Sequence, residues 1–232
     1  MKVNNPQYHE SVYAGLWVKR SLTEWDKILP EKTYSPEEPD ETVVDFAEFL
    51  RKNDKIRVLD LACGGGRHAV YMTKRGFEIT GVDISETGLK IATRRLREQE
   101  EGLTAALIRS AMNALPFVDS SFDAVICTRA VHHQRLAAIQ KTLFETRRVL
   151  RRDGVILIDF LSKRTHSCGK GVEIEKQTFI ETEGLEKGII HHFTDQEELQ
   201  KLFGSFRIIG IDLNETEVEG KLRSRLTVRA IK

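Results

Sequence analysis

The sequence predicts an open α/β fold: a doubly wound, seven-stranded, mainly parallel sheet whose last strand is antiparallel, with a helical N-terminal cap and a hairpin insertion. Three observations carry this. Between residues 40 and 161, short runs rich in Val, Ile and Leu alternate with amphipathic helical stretches, as in a parallel sheet covered on both faces. The first run ends in three consecutive glycines, "LDLACGGGRH". The last two runs, 206–213 and 221–231, have no helix between them, so they should pair antiparallel.

The elements follow in order. In residues 1–39, Tyr13, Leu16 and Trp17, then Leu22, Trp25 and Leu29, fall at helical spacing, with Ser21 and Glu24 as a capping box. "PEKTYSPEEP" then interrupts regular structure. "DETVVDFAEFLR" (40–51) reads as an amphipathic helix with Asp40 as its N-cap. Strands are expected at 56–61, 77–82, 104–109, 122–127 and 154–161. The helices between them should run from about 67 to 75, closed by Gly76, from about 85 to 101, and from about 136 to 151. Residues 171–193 read as a hairpin, and Thr194 with Glu197 as the capping box of a helix over 194–204. In the last run, basic residues alternate with Leu222, Leu226, Val228 and Ala230, so part of one face meets water.

Composition narrows the class. The chain has 232 residues, is 40% apolar and 31% charged, and carries a formal net charge of +1. That is an ordinary globular composition with no electrostatic case for nucleic acid. Its three cysteines include no CxxC pair, so neither a zinc site nor a disulfide framework is expected, and a reducing, cytoplasmic setting fits. No apolar run approaches 18 residues and the start is polar, so no membrane span or signal peptide is expected.

The glycines suggest a ligand. In an open α/β sheet, ligands bind beyond the carboxyl ends of the strands, where strand order reverses. Asp60-x-Ala62-x-Gly64-x-Gly66 leaves the backbone bare there, and the next helix offers free N–H groups. Asp83 ends the second strand, 17 residues after Gly66, where an acid can accept both hydroxyls of a ribose. Together they describe an adenosine-type site. Ala62 stands where a dinucleotide fingerprint needs its first glycine, and the Asp60 carboxylate would repel a pyrophosphate. Beside an ammonium group the same acid is favourable, which selects S-adenosyl-L-methionine as the cofactor.

"VLDLACGGGRH", "GVDIS", "SAMNALPF", "FDAVICTRAVHH" and "ETRRVLRRDGVILI", in that order and spacing, resemble the motifs of class I S-adenosylmethionine-dependent methyltransferases. The finer pattern is similar to small-molecule enzymes of the tellurite/thiopurine and ubiquinone-biosynthesis types. The resemblance implies a Rossmann-like methyltransferase fold. It places Asp60, Ala62, Gly64 and Gly66 along the methionyl part of the cofactor, and Asp83 with Ile84 at the ribose and adenine. It sets Met112 and Asn113 against the adenine, and Thr128 with Arg129 beneath the cofactor. Many relatives have an acid at the position of Ala111, so one adenine contact is absent here.

One domain is expected: a cap (1–39), a cofactor-binding core (40–161), an insertion over the acceptor site (162–193), and the last helix and strand pair (194–232). The reading is methyl transfer to a small-molecule acceptor by direct in-line displacement, with no metal required. His132 and His133, after the fourth strand, are the candidate catalytic bases, against a structural role for either. His191 and His192 could reach the same cleft, although adjacent strand residues point to opposite sides. Trp17 and Trp25 suit an acceptor wall or simple helix packing. Arg147, Arg148, Arg151 and Arg152 read as a solvated face, and Cys127 as a buried strand residue. Rival readings are an RNA methyltransferase, which would want a basic groove, and a nicotinamide-dependent oxidoreductase, which would want different glycine spacing. A non-catalytic S-adenosylmethionine-binding module also remains open.

Overall fold

The computed structural model describes residues 24–99, 103 and 105–232. Tyr13, Leu16, Trp17, Ser21 and Leu22 of the expected cap lie outside them; residues 24–28 are helical. The elements that follow are α1 (Glu41–Lys52), β1 (Arg57–Leu61), α2 (Arg67–Thr73), β2 (Glu78–Asp83), α3 (Glu86–Arg97), β3 (Ala106–Arg109), β4 (Phe122–Cys127), α4 (Leu136–Val149) and β5 (Leu150–Ser162). An insertion contributes β6 (Val172–Glu175), β7 (Thr178–Ile180) and β8 (Ile190–Thr194). The chain continues with α5 (Gln196–Leu202), β9 (Arg207–Val218) and β10 (Lys221–Ile231).

The main sheet runs β3-β2-β1-β4-β5-β10-β9, parallel except that β10 is antiparallel to both neighbours. Strand order reverses between β1 and β4, whose carboxyl ends therefore open side by side. Residues alternate between the two faces of each central strand. Val58, Ala124, Ile126, Val155 and Leu157 pack on one face with Val43, Phe46 and Leu50 of α1 and Ala69 and Met72 of α2. Leu59, Leu61, Val125, Cys127, Ile156 and Ile158 pack on the other with Ile139 and Leu143 of α4 and Leu199 of α5. Burial on both faces is why these strands read as unbroken apolar runs.

Several expectations are adjusted. The insertion holds three strands, not a simple hairpin: β7 pairs antiparallel with both β6 and β8. β8 then runs parallel to the tip of β5, Leu161 opposite Phe193, while Leu161 also faces Arg225 of β10. It thus occupies the edge that β4 leaves after Cys127 pairs with Ile158, and extends the sheet over the carboxyl side. The N-cap of α5 is Asp195, whose side chain accepts the Glu198 N–H at 3.0 Å, because Thr194 is held in the β8 ladder. Asp40 is the N-cap residue of α1, but its carboxylate makes no cap hydrogen bond because it is paired with arginines elsewhere. Arg148 is not part of a solvated face: it bonds Glu145, Asp119 and the carbonyls of Leu115 and Phe117, tying the loop after β3 to α4. Cys127 is fully buried in its strand.

Candidate active site

The turn after β1 is built for close approach. Ala62, Gly64 and Gly66 have φ of 56°, 50° and 76°, in the left-handed region that only glycine enters without strain. At Gly66 the reason is also steric. A Cβ there would stand 2.6 Å from the Cβ of Ala92, so the missing side chain lets α2 pack on α3. At Gly65 a Cβ would fall 2.0 Å from the hydroxyl of Ser35, which the cap segment presses onto the loop. Arg95 of α3 bonds the carbonyls of Gly65, Ser35 and Pro36, fastening that segment down.

A cavity of about 1740 Å³ opens at the β1/β4 switch point. It brings together Ala62, Gly64, Asp83, Ile84, Met112, Asn113, Thr128, Arg129, His132 and His133. Two expected lining residues are not on it. Gly66 lies behind the loop against Ala92, for the packing reason just given. Asp60 is 1% exposed, beneath the loop, and its Oδ2 has no hydrogen-bond partner. Burial pushes its carboxyl up to about 6, against the pull of His68 and Arg67.

Asp83 does more than its position at a strand tip suggested. Its Oδ2 accepts the Gly64 N–H and its Oδ1 the Ser85 N–H, both at 2.8 Å, so it closes the glycine turn and sets the start of α3. Burial raises its pKa, with these backbone donors opposing. Each oxygen retains a further lone pair for a ligand. Ser85 caps α3 by accepting the Gly88 N–H, and its hydroxyl donates to Asp26 of the cap.

The opposite rim carries groups that sequence reasoning did not single out. Asp40 pairs with Arg67 and, at 2.6 Å, with Arg129. Burial opposes its ionisation, but the His68 hydrogen bond and both arginines outweigh this and hold the carboxyl far below the usual range. Arg129, at φ 56°, is fixed by its N–H on Asp159 at 2.7 Å. Loop β4–α4 then presents His132 and His133. The insertion answers with His191 and Glu186, 3.0 Å apart, and the cap with Trp25 and Tyr34. Trp25 meets the His133 ring edge-on at 4.8 Å between centroids. Burial, then neighbouring His133 and Arg225, drive the His132 pKa well down; His133 is pushed to about 3 by burial and His191. His192 turns away, as strand alternation requires, onto Thr178 and Glu198. No sequence spacing links positions 25, 34, 186 and 191; the signal, if any, was the histidine pair at the end of an insertion.

A cavity at the switch point of a parallel sheet, beside an acid-terminated second strand, is where open α/β folds bind nucleotide-type ligands. The chain is similar in fold and in its core sequence to class I S-adenosylmethionine-dependent methyltransferases. A methyltransferase-domain family model matches residues 58–154. A demethylmenaquinone methyltransferase of Thermotoga maritima is 34% identical over 63% of this chain and 62% of its own. A glycine/sarcosine N-methyltransferase of Aphanothece halophytica is 26% identical over 71% and 66%. The chain spans about three fifths of the length of the curated relatives it matches. Among solved structures, the 1,6-didemethyltoxoflavin-N1-methyltransferase of Burkholderia thailandensis superposes with a TM-score of 0.68 over 100% of this chain and 92% of that one, at 19% identity. A Methanosarcina mazei methyltransferase gives 0.64 over 77% and 92%, at 22%.

The residues present fit the family's cofactor. An unpartnered buried carboxylate oxygen on Asp60 suits an ammonium group, and the bare backbone at 62–65 suits a ligand pressed against it. Asp83, Ile84, Met112 and Asn113 line the same cavity. Among the described residues, no helix is long and apolar enough to cross a membrane.

Proposed function

We propose that the protein transfers a methyl group from S-adenosylmethionine to a small-molecule acceptor. One observation carries this reading: a single cavity joins the glycine turn and Asp83 to a wall made by the cap, the β4–α4 loop and the insertion. At about 1740 Å³ it exceeds the ~300–1,000 Å³ of a typical one-ligand site and has room for two. Bound S-adenosylmethionine supplies a methyl group already activated by its sulfonium. The chain's own work is then alignment and exclusion of water. Asp83, Met112 and Asn113 line the cofactor end, Asp60 sets a carboxylate beneath the glycine turn, and Thr128 and Arg129 lie below the cofactor. Trp25, Tyr34 and the insertion close the acceptor end. His132 and His133 are the candidate bases; enclosure keeps both rings neutral, which leaves a lone pair on each but makes each a weak base, and a His133 that ligates an ion leaves His132 as the candidate.

The test is transfer of label from methyl-labelled S-adenosylmethionine into a small-metabolite pool and, separately, into total RNA. Label in metabolites alone supports the reading. Label in RNA alone overturns the acceptor class and leaves the cofactor site standing.

A further inference from the structure

Among the described residues, one group of three His, Cys, Asp or Glu side chains converges closely enough to share an ion: His133, Glu186 and His191, with ligand atoms all within 4.8 Å of one another. We propose that these three residues bind a divalent late first-row transition ion, zinc being the foremost, on the wall of the large cavity.

The arrangement is held in place by the backbone around it and by a partner behind His133. His133 Nδ1 lies 3.2 Å from the carbonyl of Ile190, so that nitrogen donates and Nε2 is left with its lone pair. A backbone carbonyl on the far nitrogen is how ligating histidines are oriented and made more basic. His191 is placed by β8, whose next residue is fixed twice. The His192 N–H donates to the carbonyl of His132 at 2.8 Å, and its ring is held by Thr178 and Glu198. The two halves of the site are therefore bolted to each other by backbone. Glu186 sits in a turn closed by the Ile189 N–H on its carbonyl at 2.8 Å, and Tyr34 of the cap lines the same cavity wall. His191 Nε2 and Glu186 Oε2 are 3.0 Å apart, a separation two ligands of one ion can adopt.

The donor set decides the ion. Two imidazoles and one carboxylate suit zinc and its neighbours, whereas calcium and magnesium prefer oxygen alone. Three protein ligands leave at least one coordination position open, which faces the cavity that all three residues line. The ion site rests on ligand geometry alone. Only the suggestion that the open position takes an oxygen, nitrogen or sulfur atom of the acceptor rests on the methyl-transfer reading.

The experiment uses tag-free, full-length protein with cofactor absent. Cobalt(II) chloride is titrated while visible d–d absorption is recorded, followed by displacement with zinc chloride. One equivalent of cobalt giving a saturable spectrum that zinc abolishes is the expected result. Glu186→Gln and His191→Ala should each weaken binding by more than the ~10–100-fold typical of losing a partner to a ligating histidine, and Tyr34→Phe by less. His166→Ala, a cavity histidine outside the group, should bind like wild type. Circular dichroism of each variant reports folding, and the near-isosteric Glu186→Gln decides if His191→Ala unfolds. No spectrum at excess cobalt, or wild-type affinity in Glu186→Gln, overturns the site without touching the cofactor assignment.

Discussion

Asp60→Asn should make the ligand-free protein more stable and its cofactor binding weaker. Asp60 is 1% exposed with one oxygen unpartnered, and burial moves its carboxyl from 3.8 up to about 6. At about 1.36 kcal/mol per pKa unit, ionising it in place costs about 3 kcal/mol above its unfolded pKa range. The sign follows from proton counts. Between pH 4 and 6 the native state binds more protons than the unfolded chain, so this group is harmless below pH 4 and its full cost is felt above pH 6. Asparagine removes the charge but leaves an amide without a partner, which returns about 1–2 kcal/mol. The net gain at pH 8 is then about 1–2 kcal/mol, or a rise in Tm of about 2–8 °C for a chain of this size. At pH 5 only about half of the ionisation cost remains, so the gain should vanish. Thermal melts of both proteins at pH 5 and pH 8 check this. Calorimetry with S-adenosylhomocysteine at pH 8 should show affinity lowered by about tenfold, because the ligand's ammonium group loses the negative charge beneath the glycine turn. In wild type, affinity should fall by up to about tenfold below about pH 6, as Asp60 takes up a proton. A variant less stable than wild type at pH 8, or a gain equal at both pH values, refutes the argument.

Asp83→Ala should weaken S-adenosylhomocysteine binding by about 2–4 kcal/mol and, because Gly64 and Ser85 lose their acceptor, also lower the Tm of the free protein. Calorimetric affinity equal to wild type would move the ribose site elsewhere. Gly66→Ala places a Cβ against Ala92 in a left-handed backbone and should destabilise by about 2–4 kcal/mol in urea melts; an unchanged midpoint would discredit the packing account. Trp25→Ala removes an aromatic neighbour of His133 worth about 0.5–1.5 kcal/mol and should reduce turnover more than S-adenosylhomocysteine affinity. Equal losses in both would tie Trp25 to the cofactor end instead.

The sequence by itself determined the sheet, its antiparallel last strand and the glycine turn that ends β1. Those features are local: a buried parallel strand must be apolar on both faces, and a turn with φ near 50–76° at Gly64 and Gly66 leaves its mark as glycine. Asp83 was visible because it ends a strand at a legible distance from the glycines, yet its bonds to Gly64 and Ser85 were not, since they depend on how two strand tips pack. Ala62, at φ 56°, shows that a required backbone conformation does not always write a glycine. The assembly of the acceptor end was decided by tertiary structure. Trp25, Tyr34, Asp40, Glu186 and His191 meet His132, His133 and Arg129 only because β8 takes the edge vacated by β4 and the cap lies across the glycine turn. Such contacts join positions up to a hundred and more residues apart, and the chemistry they share has no periodicity or spacing by which a linear sequence could announce it.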